Sequence, residues 1–370
     1  MHLAFLAAWL ASLESIKDAA VKTAKGLLGW YTGNEPGGIP GTFPEKWWEG
    51  SALFISLIVY WFYTGDDHYN NLITKDMQHQ AGDCNYMPDN FSTYLGNNDQ
   101  FFWGTPAMLA AKYKFPEADD GYLYGYNLKN SISNGGFFQL AACLSLYTKN
   151  NIYATWAEKT WDRSVLSPLI NNKTWNMADS VTTEDKYSTQ VDNQWSYNYS
   201  VYLTGAAYMY NYIIWKTAVN SLLDKLLQQF FPEDMGGEDI FTEFLCKPKA
   251  LCNFNKILFK GIILYWLTLV ALIVPETYNR IYPKLQTSAQ AAAMACSGDN
   301  NNTLWHQMQI IATNILSSAL LSEKRAPPLN TNTGGNSKSD PNAGMGIQIN
   351  PSSASILTVL FVAAWGGMTA

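Results

Sequence analysis

The sequence predicts an all-α protein built from antiparallel helix hairpins laid side by side and closed into a ring, an α/α toroid. Apolar residues recur at helical spacing in eleven segments, near 13–30, 45–63, 67–81, 99–114, 130–147, 151–167, 194–213, 215–230, 255–273, 276–295 and 304–323. Gly and Pro fall mostly between them, and strand-like alternation with tight hairpin turns is scarce. One hairpin is written twice. VYWFYTGDDHYNNL at 59–72 and LSLYTKNNIYATW at 144–156 share an aromatic helix end, a Tyr-Thr turn, two short polar residues and a Tyr opening the next helix.

Taken in order, the chain opens on MHLAFLAAWLAS (1–12), an apolar run of signal-peptide length without a basic start. The helices of 13–325 follow as one domain. Asp66 and Asn150 are placed to cap the helices after the repeated turn. Gly261 to Val274 carries no charge but is short for a membrane span, and the amphipathic segments around it mark it as a buried core helix. Residues 326–354 form a Ser/Asn/Gly-rich linker. The apolar tail 355–370 stops at the last residue, and the small triplet Asn342-Ala343-Gly344 lies about ten residues before it. That pattern predicts a GPI attachment signal with Asn342 as the acceptor.

Composition narrows the function classes. The 370 residues carry a net charge of −6 and no Lys/Arg-rich patch, which excludes nucleic acid as a partner. Aromatics make up 14% of the chain, with 14 Trp and 22 Tyr, enough both for a large helical core and for stacking on sugar faces. Asn90, Asn172, Asn198 and Asn301 each open a glycosylation sequon, in keeping with a secreted product. Of five cysteines, Cys246 and Cys252 enclose a short loop and are the disulfide candidates. The four His are scattered away from the Cys, and no acidic cluster has calcium-loop spacing, so neither a metal nor a cofactor is expected.

Several long stretches carry a resemblance. They are SIKDAAVKTAKGLL, the run GWYTGNEPGGIPG at 29–41, WWEG at 47–50, YWFYTGDDHYN, NYMP at 85–88, GNNDQFFWG at 96–104, YNLKNSISNGGFFQLAA, YATWAEKTWD, QWSYNYSVYLTGAA and SKSDPNAG. Collinear over almost the whole chain, they resemble the fungal members of glycoside hydrolase family 76, the endo-1,6-α-mannosidase (Dcw1/Dfg5-like) group. The resemblance implies an (α/α)6 toroid acting on α-mannosides, mannan or the GPI-core glycan, in cell-wall biogenesis. It also implies a monomer, GPI-anchored at the outer face of the plasma membrane. Retaining chemistry in this family uses a consecutive aspartate pair as nucleophile and acid/base.

Two departures stand out. The first aspartate of the pair is Asn98 here, and only Asp99, at the acid/base position, keeps a carboxylate. An amide has no charge with which to attack or to stabilise an oxocarbenium-like transition state, so the chain reads either as a mannosidase by descent or as a catalytically impaired glycan-binding relative. Asp89, Glu49, Glu184 and Asp185 are the carboxylates that could substitute. The second departure is a gap. FPEADDGYLYG joins segments that family members separate by a further helix and loop, which leaves eleven helices where twelve are expected and also fits an incomplete gene model. The family motifs nominate Trp47, Tyr86, Trp103, Asn134, Gln194, Trp195, Tyr197 and Asn198 as sugar contacts, with Trp48 and Glu49 beside them.

Overall fold

The computed structural model describes residues 12–43, 46–81, 99, 101–106, 128–182, 189–210, 213–232, 239–249, 251–295 and 306–323. Its α-helices are α1 (Leu13–Leu28), α2 (Trp47–Thr64), α3 (Asn70–Ala81), α4 (Ser131–Thr148), α5 (Asn151–Leu166), α6 (Ser196–Tyr208), α7 (Ile213–Phe230), α8 (Phe254–Ile273), α9 (Tyr278–Ala295) and α10 (His306–Ser318). Residue 99 and residues 101–106 are also helical. Ten of the predicted helices have counterparts with ends shifted by a few residues, and the helix expected at 99–114 is helical at 99 and 101–106, its remainder lying outside the described residues. The sequence did not predict a small antiparallel sheet of β1 (Leu128–Asn130), β2 (Ser180–Thr182) and β3 (Gln190–Val191), in that order. It pairs Leu128 with Thr182 and Ser180 with Val191.

The helices form a closed inner ring with an outer layer. Segment 101–106 meets α2 through the ring pairs Trp47–Trp103 and Trp48–Phe102, 5.4 and 5.1 Å between centroids. It meets α4 where Phe101 lies over Gly136. From there α4 packs on α6, α6 on α8, α8 on α10, and α10 returns to α2. Outside this ring α3 packs on α2, α5 on α4, α7 on α6, α9 on α8 and α10, and α1 on α10 and α2. Burial follows the same division. Every residue of α6 is buried, whereas α1 and α5 bury one stripe each, as amphipathic outer helices should. Glycines set the closest approaches: a Cβ on Gly136 would lie 2.5 Å from the Phe101 ring, and one on Gly205 2.4 Å from Phe138. The apolar run in α8 is core, buried from Ile262 to Leu272 against its ring neighbours.

Local chemistry fixes the helix ends. Ser12 and Ser15 form a reciprocal capping box on α1. Asn130, Asn150 and Asn253 each accept a backbone N–H at the start of α4, α5 and α8. Asp66 acts differently from the expected cap. Its Oδ1 accepts the His68 N–H at 3.0 Å and its Oδ2 accepts the Tyr60 hydroxyl, so it closes the turn after α2 before α3 begins. Gly65, at φ 78°, ends α2 in the left-handed conformation that glycine adopts without strain.

Inner and outer helices alternate along the chain up to segment 101–106, whose outer partner would fall within 107–127, outside the described residues. The stretch 115–126 is the length of α3, the shortest outer helix, but holds Pro116, Gly121 and Gly125, which oppose a continuous helix.

Candidate functional site

The N-terminal ends of the inner helices meet on one face. Lys46, the N-cap of α2, has its Nζ 3.3 Å from Asn255 Oδ1 at the start of α8. Lys256, one residue on, places Nζ 4.7 Å from the ring of Trp195, the N-cap of α6. Tyr197 stacks on Phe259 of α8, with centroids 3.9 Å apart. Ser131, the first residue of α4, donates its N–H to the Asp179 carbonyl at 2.9 Å, and the Asp179 carboxylate accepts from Tyr197 and Asn198 of α6. Four inner helices therefore bring their N-termini, the positive ends of their dipoles, to a common rim, a setting that favours carboxylates and oxygen-rich ligands.

Half-buried Asp99 stands on this rim, one helical turn before Trp103. The Trp103 indole donates to the Trp47 carbonyl at 3.2 Å, and the Trp47 indole donates to Gln80 Oε1 at 2.7 Å. Gln80 Nε2 reaches the Pro40 carbonyl at 2.6 Å. Below it, Tyr31 donates to Asp76 at 2.6 Å and accepts the Gly41 N–H at 2.6 Å, and Asn34 adds a donor to the same Asp76 oxygen at 3.1 Å. The glycine-rich loop 29–41 is thus fastened to α3, and through α3 to the two tryptophans that seat the Asp99 segment. Burial raises the Asp76 carboxyl above the usual range, against the lowering effect of Tyr31 and Asn34.

The second carboxylate on the rim is Asp179, which sequence reasoning missed. It precedes β2, its N–H donates to the Val191 carbonyl at 2.7 Å, and its Oδ1 accepts from Asn198 Nδ2 at 3.0 Å and Tyr197 Oη at 3.2 Å. Burial raises its pKa, and the bonds from Asn198 and Tyr197, with the nearby Lys256 charge, oppose the rise. Burial also holds the Tyr197 phenol well above its ordinary value, with the Asp179 charge adding to the effect, so Tyr197 remains a donor. The signal that could have found Asp179 is its place between the SISNGG and QWSYNYS motifs, in a segment without helical period.

Burial corrects two of the expected contacts. Trp103 and Asn198 are each 0% exposed, so Trp103 acts as the packing floor under α2 and Asn198 as a prop for Asp179; neither presents a surface to a sugar. The same burial removes Asn198 as a glycan acceptor, whereas Asn172 is exposed beside a turn closed by Asn171. Trp47, Trp195 and Tyr197 keep a narrow exposed edge, and Trp48 packs on Phe102. Glu49 is fully buried, and half-buried Asn134 donates to the Asn130 carbonyl at 2.9 Å. The Gln194 Oε1 accepts from Tyr199 and from the Met177 N–H, and Gln194 lines a cleft of 320 Å³ with Asn171, Asn176, Ala178, Gln190 and Asp192, Ala178 being the residue before Asp179. Cys246 and Cys252 are bonded, at S–S 2.02 Å. Tyr86, Asp89, Asn90, Asn98, Glu184, Asp185, Asn301, Asn342 and both terminal segments lie outside the described residues. Among the described residues no cluster of His, Cys, Asp and Glu is arranged to hold a metal ion.

The profile of glycosyl hydrolase family 76 matches residues 15–124 and 121–328. The chain belongs to glycosyl hydrolase family 76. Within the family it is 35% identical over 390 residues to the mannan endo-1,6-alpha-mannosidase DCW1 of Saccharomyces cerevisiae, covering 90% of this chain and 85% of that protein. With DFG5 of Candida albicans, also named a mannan endo-1,6-alpha-mannosidase, the identity is 31%, over 90% and 84%. The crystal structure of Dfg5 from Chaetomium thermophilum in complex with glucosamine superposes with TM-score 0.81 at 32% identity, covering 94% of this chain and 99% of that one. An inactive variant of a family 76 α-1,6-mannanase from Salegentibacter sp. HEL1_6, bound to α-1,6-mannotriose, shares the fold at TM-score 0.63 and 14% identity, over 83% and 99%. The family match breaks at 121–124, inside the expected gap. The alignment to the yeast relative also spans 390 positions while taking in only 90% of 370 residues, so that relative has residues within the matched span that this chain lacks.

Proposed function

We propose that this chain recognises α-1,6-linked mannosides, as mannan or as the mannose core of a GPI glycan, at the rim where Asp99 and Asp179 stand. It is a mannosidase or transglycosidase of fungal wall biogenesis whose covalent step is limited by Asn98. The observation that carries the reading is the placement of Asp99 at the N-terminal rim of the inner ring in a family 76 chain, next to an amide rather than a second carboxylate. Relatives at 31–35% identity are named mannan endo-1,6-alpha-mannosidases, and the Salegentibacter mannanase variant described as inactive has two consecutive aspartates changed to asparagine.

In this reading Asp99 protonates the glycosidic oxygen, and Asp179 accepts hydrogen bonds from sugar hydroxyls while Tyr197 and Asn198 hold it in place. The exposed edges of Trp195 and Tyr197 wall one side of a mannosyl ring. Asn98 favours a second reading, a glycan-binding protein without turnover, because an amide forms no glycosyl ester at a useful rate. The terminal signals support secretion and a GPI anchor at Asn342, with the chain acting as a monomer at the outer membrane face or in the wall.

Calorimetry with α-1,6-mannotriose tests the site. The native chain should bind it, and Asp179→Asn, which keeps shape but loses a charged acceptor, should weaken binding by roughly tenfold. Absence of binding by the native chain overturns the proposal, and equal affinity in the variant removes Asp179 from the site.

A further inference from the structure

Glu243 is a fully buried carboxylate that lies beneath the rim, on the segment 239–249. The Ser196 hydroxyl donates to its Oε1, and the Ser196 backbone N–H donates to the same carboxylate. Ser196 is the first residue of α6, where a helix leaves its N–H groups unpaired. The N-cap there is Trp195, whose side chain makes no capping hydrogen bond. Glu243 therefore supplies from another segment what an N-cap side chain supplies from within, with a negative charge at the positive end of the dipole.

The carboxylate is itself anchored by a covalently closed turn. The Glu243 carbonyl accepts the N–H groups of Cys246 at 3.3 Å and Lys247 at 2.9 Å. Cys246 is bonded to Cys252, and the Leu251 N–H returns to the Cys246 carbonyl at 3.0 Å. Charged and titratable groups face Glu243 from the neighbouring helices, Lys256 and Lys260 from α8 and Tyr197 from α6, while Lys247 of the turn lies against Lys260. Lys256 also faces Asp179, so it links the buried carboxylate to the one on the rim.

We propose that Glu243 is a positioning residue for the mannoside site: from the disulfide-closed turn it caps α6 and so holds Trp195, Tyr197 and Asn198, and through the last two Asp179, in register with the ligand. This rests on the reading of the rim as a mannoside site. The ionised form makes the stronger cap, because both Ser196 donors bond better to a carboxylate than to a neutral acid. Burial pushes its pKa up to about 7, with the Ser196 donors and the lysines of α8 opposing, so the cap changes strength within the range where the protein is handled.

The test compares the native chain with Glu243→Gln and Ser196→Ala from pH 5.5 to 8.5. Affinity for α-1,6-mannotetraose is measured by calorimetry, and backbone protection over 195–203 by hydrogen exchange. Native affinity should rise about fivefold with pH through a step near 7, while overall stability falls through the same range because the ionised carboxylate is costlier to keep buried. Glu243→Gln should lack that step, bind as the native chain does at pH 5.5, and yet melt at a higher temperature at pH 8.5, since a neutral amide is easier to bury. Greater stability with weaker binding is a combination that a role in packing alone would not give. Ser196→Ala should lower protection over 195–203 by about tenfold and keep the step. A step unchanged in Glu243→Gln, or protection over 195–203 indifferent to all three chains, overturns the proposal. If none of the chains binds mannotetraose the mannoside reading fails, while hydrogen exchange still decides whether Glu243 caps α6.

Discussion

Changing Asn98 to Asp is expected to raise the turnover of α-1,6-mannotetraose by at least about a thousandfold, with KM changed less than roughly threefold. The two side chains have nearly the same shape, so the ground-state fit of the sugar should hardly move. What changes is the covalent step. A retaining glycosidase forms and breaks a glycosyl ester, and the oxocarbenium-like transition state is stabilised by the charge of the attacking carboxylate. A thousandfold is about 4 kcal/mol of barrier, a modest demand on a complete nucleophile. Asp99→Asn in the Asn98→Asp background should abolish the gain, because the leaving oxygen then has no proton donor. Product analysis by chromatography and reducing-sugar release suffices. An inactive Asn98→Asp chain that still binds mannotetraose would establish the non-catalytic reading, and a native chain as active as the variant would place the nucleophile elsewhere.

Gly50→Ala should destabilise the fold by about 3 kcal/mol or more, the largest stability loss expected from adding a single methyl group here. A Cβ at Gly50 would lie 2.1 Å from the Gly41 carbonyl oxygen and 3.0 Å from the Trp103 ring. The first neighbour is backbone and cannot swing aside. Gly41 is held at φ 90° with its N–H on Tyr31, so moving it disturbs the bonds from Tyr31 to Asp76 and from Gln80 to Pro40. Each of those bonds is worth about 1 kcal/mol, and Asp76 is left buried with a weaker partner. Thermal melting should show a drop of several degrees. Gly65→Ala is the control. Its φ of 78° carries the usual left-handed penalty of about 1 kcal/mol, but a Cβ there meets nothing within 4 Å. Losses of equal size in the two variants would contradict the crowding argument.

The pH dependence of stability should run opposite to that of an ordinary salt-bridged protein. Glu243 has an ordinary pKa of 4.5 when unfolded and about 7 when folded, so between those values the folded chain binds more protons. Stability therefore falls as pH rises from 4.5 to 7, by about 3 kcal/mol from this group alone, and levels off above. Asp179 and Asp76, also raised by burial, act in the same direction. Urea unfolding at pH 5 and pH 8 measures the difference, which Glu243→Gln should remove in large part.

The helices were legible because each pairs a long apolar stripe with breakers at its ends, and α8 could be told from a membrane span by its length and setting. The sheet was not: its strands are two or three residues long, too short for alternation to register, and they exist because the segment must cross between α4 and α6. At the site, the motifs led to the right helix ends but not to the right atoms. Trp103 and Asn198 have the chemistry of sugar contacts, and only packing reveals that they face inward. Asp179 and Glu243 sit in irregular segments where spacing carries no information, and both take their character from burial that is created by distant parts of the chain. Asn98 was the reverse case, an identity readable only in the sequence.

Ring closure has a consequence for synthesis. The contacts of α10 with α1 and α2 join residues from opposite ends of the folded domain, so they cannot form until nearly all of it has left the ribosome. Until then α8 exposes the face that α10 will cover, including Gly261, against which Ile311 packs. The nascent chain thus presents its most apolar helix to its surroundings for the tens of residues that separate α8 from α10. An organelle rich in holding chaperones suits that interval, and slowing translation after α8 should lower the yield of soluble protein more than slowing it before α8.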